Sequence, residues 1–324
     1  MHVEPWMWIA FTAFILAMLA IDLLMNRDAH VVSMREAGIW SGVWVTLGLL
    51  FAGLLWIWQD GKVAGEYLAG YVIEKSLSVD NIFVFALLFS YFSVPAKYQH
   101  RVLFWGVLGA LVFRILFIAG GAALLDNFHW MIYVFGGFLV ITGIRMAMHK
   151  ETEVHPEKNP VLKLMRRVIP ISGSYDGKHF FTRVNGKRLA TPLFAVLVVV
   201  ETTDIIFAVD SIPAIFAITR DTFIVFTSNA FAILGLRAMY FLLAGMIRKF
   251  QYLSVGLSAV LVFVGIKMLI SDVYHVPIWA SLSFIAVAIT ASVIYSLRHP
   301  AAPAEIPHGE GLQELREDAQ EMPR

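Results

Sequence analysis

The stretch Glu201-Thr-Thr-Asp204-Ile-Ile-Phe-Ala-Val-Asp210-Ser-Ile-Pro213 sets three carboxylates and a proline inside an apolar segment that runs from Thr191 to Thr219. A segment of that length and character reads as a membrane span. Ionisable groups at membrane depth cost roughly 2.5 to 3.5 kcal/mol each, so three facing lipid would cost roughly 8 to 10 kcal/mol. A bound cation, a proton or an intramembrane basic partner would offset that cost, and the first two make a transport site. Helical geometry adds a constraint. Asp204 and Asp210 are six residues apart, about 120° out of register on a regular helix. Convergence of the carboxylates then requires a helix broken near Pro213, which leaves the Val209 carbonyl without its helical donor, or groups brought from elsewhere in the chain.

A second acidic stretch offers such groups. Ser78-Val-Asp80-Asn81-Ile-Phe-Val-Phe matches Ala208-Val-Asp210-Ser-Ile-Pro-Ala-Ile-Phe, and in that register Glu74 falls opposite Asp204. Arg114 and Arg237 correspond in the same order, and Gly143-Ile-Arg145-Met146 reappears as Gly265-Ile-Lys267-Met268. Repetition of this kind is an architectural signal. Glu74, Asp80, Asn81, Glu201, Asp204 and Asp210 are therefore the candidate metal ligands, with Ser78, Thr202, Thr203 and Ser211 as further oxygens. Asn229 either joins them or hydrogen-bonds a neighbour. An all-oxygen set suits a hard divalent cation, manganese, magnesium or calcium, as the transported substrate. Zinc or copper would recruit His or Cys, and the chain has no cysteine. Two blander readings stand beside this one: a static ion-pair network in which Arg114, Arg145, Arg237 and Lys267 neutralise the acids, and a proton relay without metal. Arg145 and Lys267 lie near span ends, where they can snorkel. Asp22 reads as interfacial, and His149, His155 and His179 as solvated loop residues or a regulatory metal site.

The elements that must carry these residues are helices. The chain is 59% hydrophobic with a formal net charge of +1, which points to an all-α polytopic membrane protein and not to a nucleic-acid partner. Nine spans are predicted: Trp6–Met25, Gly38–Trp58, Val63–Phe92, Arg101–Leu125, Phe128–Met148, Thr191–Thr219, Thr222–Ile247, Tyr252–Ile270 and Val276–Leu297. No Lys or Arg precedes the first, so it reads as a retained span and not a signal peptide. A basic loop from Lys150 to Ala190 is cytoplasmic by the positive-inside rule, and four other basic clusters then also fall inside. This puts the amino terminus outside and the carboxyl terminus in the cytoplasm. Asn185-Gly186 between β-prone runs predicts a hairpin in that loop. The Gly120-Gly121 and Gly136-Gly137 pairs allow close helix approach. The organisation is two amino-terminal spans (1–60), a first three-helix repeat (61–149), the loop (150–190), a second repeat (191–271), a last span (272–299) and a polar, disordered tail (300–324). With three spans per repeat the two are inverted, the pattern of secondary transporters with a midplane site. Nucleotide-binding motifs and catalytic triads are absent from the sequence, so the protein is read as no enzyme and its energy source as an ion gradient.

Glu74-Lys-Ser-Leu-Ser-Val-Asp80-Asn81, the Glu201–Pro213 motif and the basic loop with its Asn-Gly pair resemble the TerC/Alx family of bacterial integral membrane proteins, over nearly the whole chain. The resemblance implies membership of the LysE-like transporter group, manganese export in Alx-type members, a link to tellurite resistance and, in some members, the loading of metal onto secreted proteins. The expectation is an inner-membrane exporter of Mn2+ that counter-transports protons. The alternatives are a scaffold that holds partner proteins in a tellurium or metal-stress complex, and an exporter of small organic cations. Homo-oligomerisation is left open.

Overall fold

The computed structural model describes residues 4–25, 32–148, 170–184, 187–243, 252–274 and 276–299, with 162, 164 and 313. Five helices come first: α1 Pro5–Met25, α2 Met34–Trp58, α3 Gly61–Tyr91, α4 Ala96–Asn127 and α5 Met131–Met148. A hairpin of β1 Phe181–Val184 and β2 Lys187–Ala190 follows, then α6 Pro192–Phe216, α7 Thr222–Leu234, α8 Leu236–Leu243, α9 Leu253–Leu269 and α10 Ile278–Arg298. Capping explains several of the starts. Ser33 accepts from the Glu36 amide, Asp60 from Val63, and Asp221 from Phe223 and Ile224, each satisfying a first-turn donor that the helix itself leaves over.

The chain is predominantly helical and spans the membrane several times. Among the described residues, α2, α4, α5, α6, the α7–α8 pair and α10 are long and apolar enough to cross a bilayer. The other three expected spans coincide with α1, α3 and α9. The helices α1 and α9 are shorter apolar segments, and α3 is long but carries Lys62, Glu66, Glu74, Lys75 and Asp80. The helices α2 and α10 turn Leu50, Ile57, Trp279 and Val287 outward, as surfaces facing lipid do. The innermost element is α7, in which every residue from Phe223 to Leu234 is buried.

The strands pair antiparallel, Phe181 opposite Ala190 and Val184 opposite Lys187, as the Asn-Gly turn predicts. The turn residues themselves, His149, His155 and the tail from 300 apart from residue 313 lie outside the described residues. His179 is exposed, its ring nitrogen near the Asp176 carbonyl.

Two features of helix continuity bear on the site. The segment expected as a span from Thr222 to Ile247 is long and apolar enough to cross over Thr222–Leu243, with an interruption at Gly235 between α7 and α8. The Lys75 ammonium donates to the Ala232 carbonyl at 3.2 Å, the group that a continuous helix would pair with the Leu236 amide. A Cβ on Gly235 would come within 2.5 Å of Lys75 Nζ and 3.1 Å of Trp44 Cβ, so a larger residue there would displace the inserted lysine and press on Trp44. Conversely, α6 runs unbroken through Pro213 and α3 through Asp80. Of the two routes to convergence, the broken helix is not taken, which leaves groups brought from elsewhere in the chain.

Helices pack across the two halves: α3 on α7, α4 on α6, and α5 on α9 along the most extensive seam. That seam is closed by glycine. A Cβ on Gly265 would lie 2.7 Å from the Gly136 carbonyl oxygen, one on Gly136 3.0 Å from that of Gly265, and one on Gly143 2.8 Å from that of Ser258. Of the two glycine pairs noted in the sequence, only one member of each is needed. Gly121 faces Phe216 and Gly136 faces α9, while Gly120 and Gly137 have no neighbour within 4 Å.

Candidate functional site

The centre of the bundle is a three-helix charge cluster. Glu74 (α3), Arg114 (α4) and Asp204 (α6) are 0%, 1% and 5% exposed. Arg114 Nη1 donates to Glu74 Oε1 and, at 2.8 Å, to the hydroxyl of Ser211 on α6. Arg114 Nε stands 3.8 Å from Asp204 Oδ2, an ion-pair contact. Asn81 Nδ2, about two turns along α3 from Glu74, donates to Asp204 Oδ1 at 3.5 Å. The register that set Glu74 opposite Asp204 in sequence thus places both on one guanidinium, each from its own half of the chain.

Part of the cluster's hydrogen-bonding capacity is unused. Glu74 Oε2, Asp204 Oδ2, Arg114 Nε and Ser78 Oγ are buried without a hydrogen-bond partner. Leaving such atoms bare costs about 1–3 kcal/mol each, more when charged. With both acids ionised the trio also carries one net negative charge. Against it lies a small cavity of about 10 Å³, lined among others by Ser78, Asn81, Phe85, Gly106 and Asp204, roughly the space of one water-sized particle. Ile233 near the end of α7 and Leu236 at the start of α8 also line it. Asn229 lies on α7 about one turn before Ile233. Its side-chain oxygen and nitrogen are both buried without a hydrogen-bond partner.

The remaining sequence candidates point elsewhere. Glu201 is half-buried, with its carboxylate in a notch of α4 left by Gly109, where a Cβ would overlap it. Asp210 accepts from Thr142 of α5 at 3.4 Å. Thr202 and Thr203 return their hydroxyls to the Val198 and Val199 carbonyls at 2.7 Å, which keeps both inside their own helix. Arg237 is half-buried on α8, beyond the Gly235 interruption. Lys267 donates to Ser281 of α10. Asp80 lies on α3, and its side chain, like that of Asp22, is outside the described residues. Among the described residues no three acidic or imidazole groups stand close enough to hold a metal ion. What the fold brings together is Glu74, Asn81, Asp204, Ser211 and Arg114.

Sequence reasoning missed Lys75, Gly109 and Thr142. Lys75 was visible, next to Glu74 in the acidic motif, as one more charge at membrane depth. Gly109 and Thr142 carry no such mark.

Residues 59–302 match the family model described as integral membrane protein TerC family. The chain is 55% identical, over 94% of its length and 97% of the relative's, to an uncharacterized membrane protein of Myxococcus xanthus. It is 51% identical, over 87% of its length and 91% of the relative's, to the Escherichia coli K12 protein named as the membrane-bound redox modulator Alx. A Rickettsia bellii membrane protein is 38% identical over 89% of this chain and 97% of its own. No solved structure matches. Multiple apolar spans, a buried acidic centre and these matches lead to one assignment: the chain belongs to the TerC family of integral membrane proteins.

Proposed function

We propose that the protein is a secondary transporter that exports a divalent cation, foremost Mn2+, from the cytoplasm in exchange for protons across the bacterial inner membrane. One observation carries the reading: two buried carboxylates, one from each half of the chain, face each other at the centre of a membrane bundle with unpartnered oxygens and a net negative charge. Charged groups that deep, left incompletely satisfied, mark ion paths. Glu74 and Asp204 are the principal ligands, assisted by Ser78, Asn81 and Asn229. Glu201 and Asp210, on flanking faces of α6, serve as relay positions, with Asp80 as the counterpart of Asp210 on α3. Calcium and magnesium are the competing substrates.

Alternating access fits the packing. Helix α3 meets α7 as α6 meets α4, and α5 and α9 meet each other. Reciprocity of this kind is expected of two inverted three-helix repeats related by an axis in the membrane plane, with the amino terminus outside, the carboxyl terminus and hairpin inside, and α1, α2 and α10 flanking the repeats. In that orientation the small cavity lies on the cytoplasmic side of the Glu74–Arg114–Asp204 cluster, where an exporter would load. Its size favours a bare ion over an amino acid or other organic cation. The name of the Alx relatives suggests redox work, but a chain without cysteine has no thiol couple of its own. A scaffold in a tellurium-stress complex would act through the loop and tail instead of the carboxylates.

The test is purified protein in liposomes, with Mn2+ flux followed with and without a pH gradient. Unaltered protein is expected to move Mn2+ in a gradient-dependent way. Asp204→Asn is expected to lower flux by about 10- to 100-fold or more, the scale of losing a metal-site group. Equal flux in Asp204→Asn, or none in the unaltered protein, sinks the proposal.

A further inference from the structure

The guanidinium of Arg114 sits on the very pair of carboxylates that the transport reading gives to the substrate. The geometry points to Arg114 as a tethered competing cation, which a substrate must displace and which thereby sets the charge a substrate must carry. The inference rests on the transport reading and adds a selectivity determinant to it.

The hold of Arg114 on the pair is incomplete. A single nitrogen, Nη1, serves both Glu74 Oε1 and Ser211, while Nε approaches Asp204 without a hydrogen bond. Each acid keeps one free oxygen. A cation bridging those oxygens would stand a few ångströms from the guanidinium, and at that range in a low-dielectric interior two positive charges repel strongly. Arginine and substrate therefore exclude each other. A sodium or potassium ion would exchange one positive charge for another and forfeit the directed, charge-assisted bonds of the guanidinium. A divalent ion doubles the charge facing both acids. The centre then admits ions by charge before it discriminates by size, without a ring of ligands built for either.

The experiment uses full-length protein in detergent at alkaline pH, where protons compete least. Binding of radioactive sodium and of Mn2+ is measured for the unaltered protein, for Arg114→Gln and for the Glu74→Gln/Arg114→Gln double variant. The double variant removes one charge of each sign, so the centre keeps its net charge and is the safer of the two to fold. The unaltered protein should bind Mn2+ and show no saturable sodium binding. Both variants should gain saturable sodium binding, and Arg114→Gln should bind Mn2+ about tenfold tighter or better. A folded double variant that takes no sodium overturns the role of Arg114, even if the unaltered protein transports Mn2+. Failure of the unaltered protein to bind or move Mn2+ counts against the transport reading alone, since the sodium comparison decides the arginine's role without it.

Discussion

The α5–α9 seam and the α3–α4–α6 centre lie in one bundle and are built on opposite terms. The seam is backbone against backbone, with Gly136 and Gly265 close enough that neither tolerates a Cβ. The centre is held by side chains and retains unpartnered oxygens on Glu74 and Asp204. A membrane bundle has no hydrophobic drive between helices, so fixed contacts come from small residues and changeable ones from polar groups. The seam reads as the part of the molecule that stays put and the centre as the part with two arrangements open to it.

The comparison is broken most severely by removing the arginine. Arg114→Met should lower stability by about 3–5 kcal/mol, the cost of stranding a buried charge partner, seen as a fall in melting temperature in detergent. Adding Glu74→Gln should return most of that loss. In the seam, Gly265→Val should cost about 1–3 kcal/mol from overpacking, while sodium and manganese selectivity stay unchanged in whatever protein folds. Asn229→Leu has the opposite sign. It replaces two bare buried polar atoms, so it should raise stability by about 1 kcal/mol and lower Mn2+ flux. If Asn229→Leu destabilises instead, the asparagine has a structural role and the contrast between the regions narrows. Gly137→Ala, next to the seam but with no neighbour within 4 Å, should stay within about 0.5 kcal/mol of the parent.

Much of this was legible in the sequence for identifiable reasons. Length and apolarity gave the helices, Asn185-Gly186 gave the hairpin, and the two acidic stretches singled out Glu74 and Asp204 as candidates. Arg114 was present both as a possible site group and as a possible static counter-ion, and its contacts with both acids fit each role. The facing of the helices was not legible. In a soluble protein an apolar stripe marks the buried side. In α6 nearly every side is apolar, so nothing in the pattern says that Asp204 turns to the centre, Asp210 to Thr142 and Glu201 to the Gly109 notch. The interruption at Gly235 was hidden for another reason. A lone glycine is a weak breaker, and its partner Lys75 stands far away in the chain.

That separation bears on how the protein is made. Glu74 waits 40 residues for Arg114, and Lys75 waits 157 for the Ala232 carbonyl. Synthesis proceeds from the amino terminus, so α3 leaves the ribosome as a poor candidate for lateral release into lipid, with its charges unmatched. Arg114 arrives with α4, but Lys75 stays without the Ala232 carbonyl until α7 is made. A ribosome stalled after α5 would therefore leave Lys75 without its carbonyl acceptor and Arg114 without Asp204, and such truncated chains are expected to be cleared by quality-control proteases while the completed chain persists.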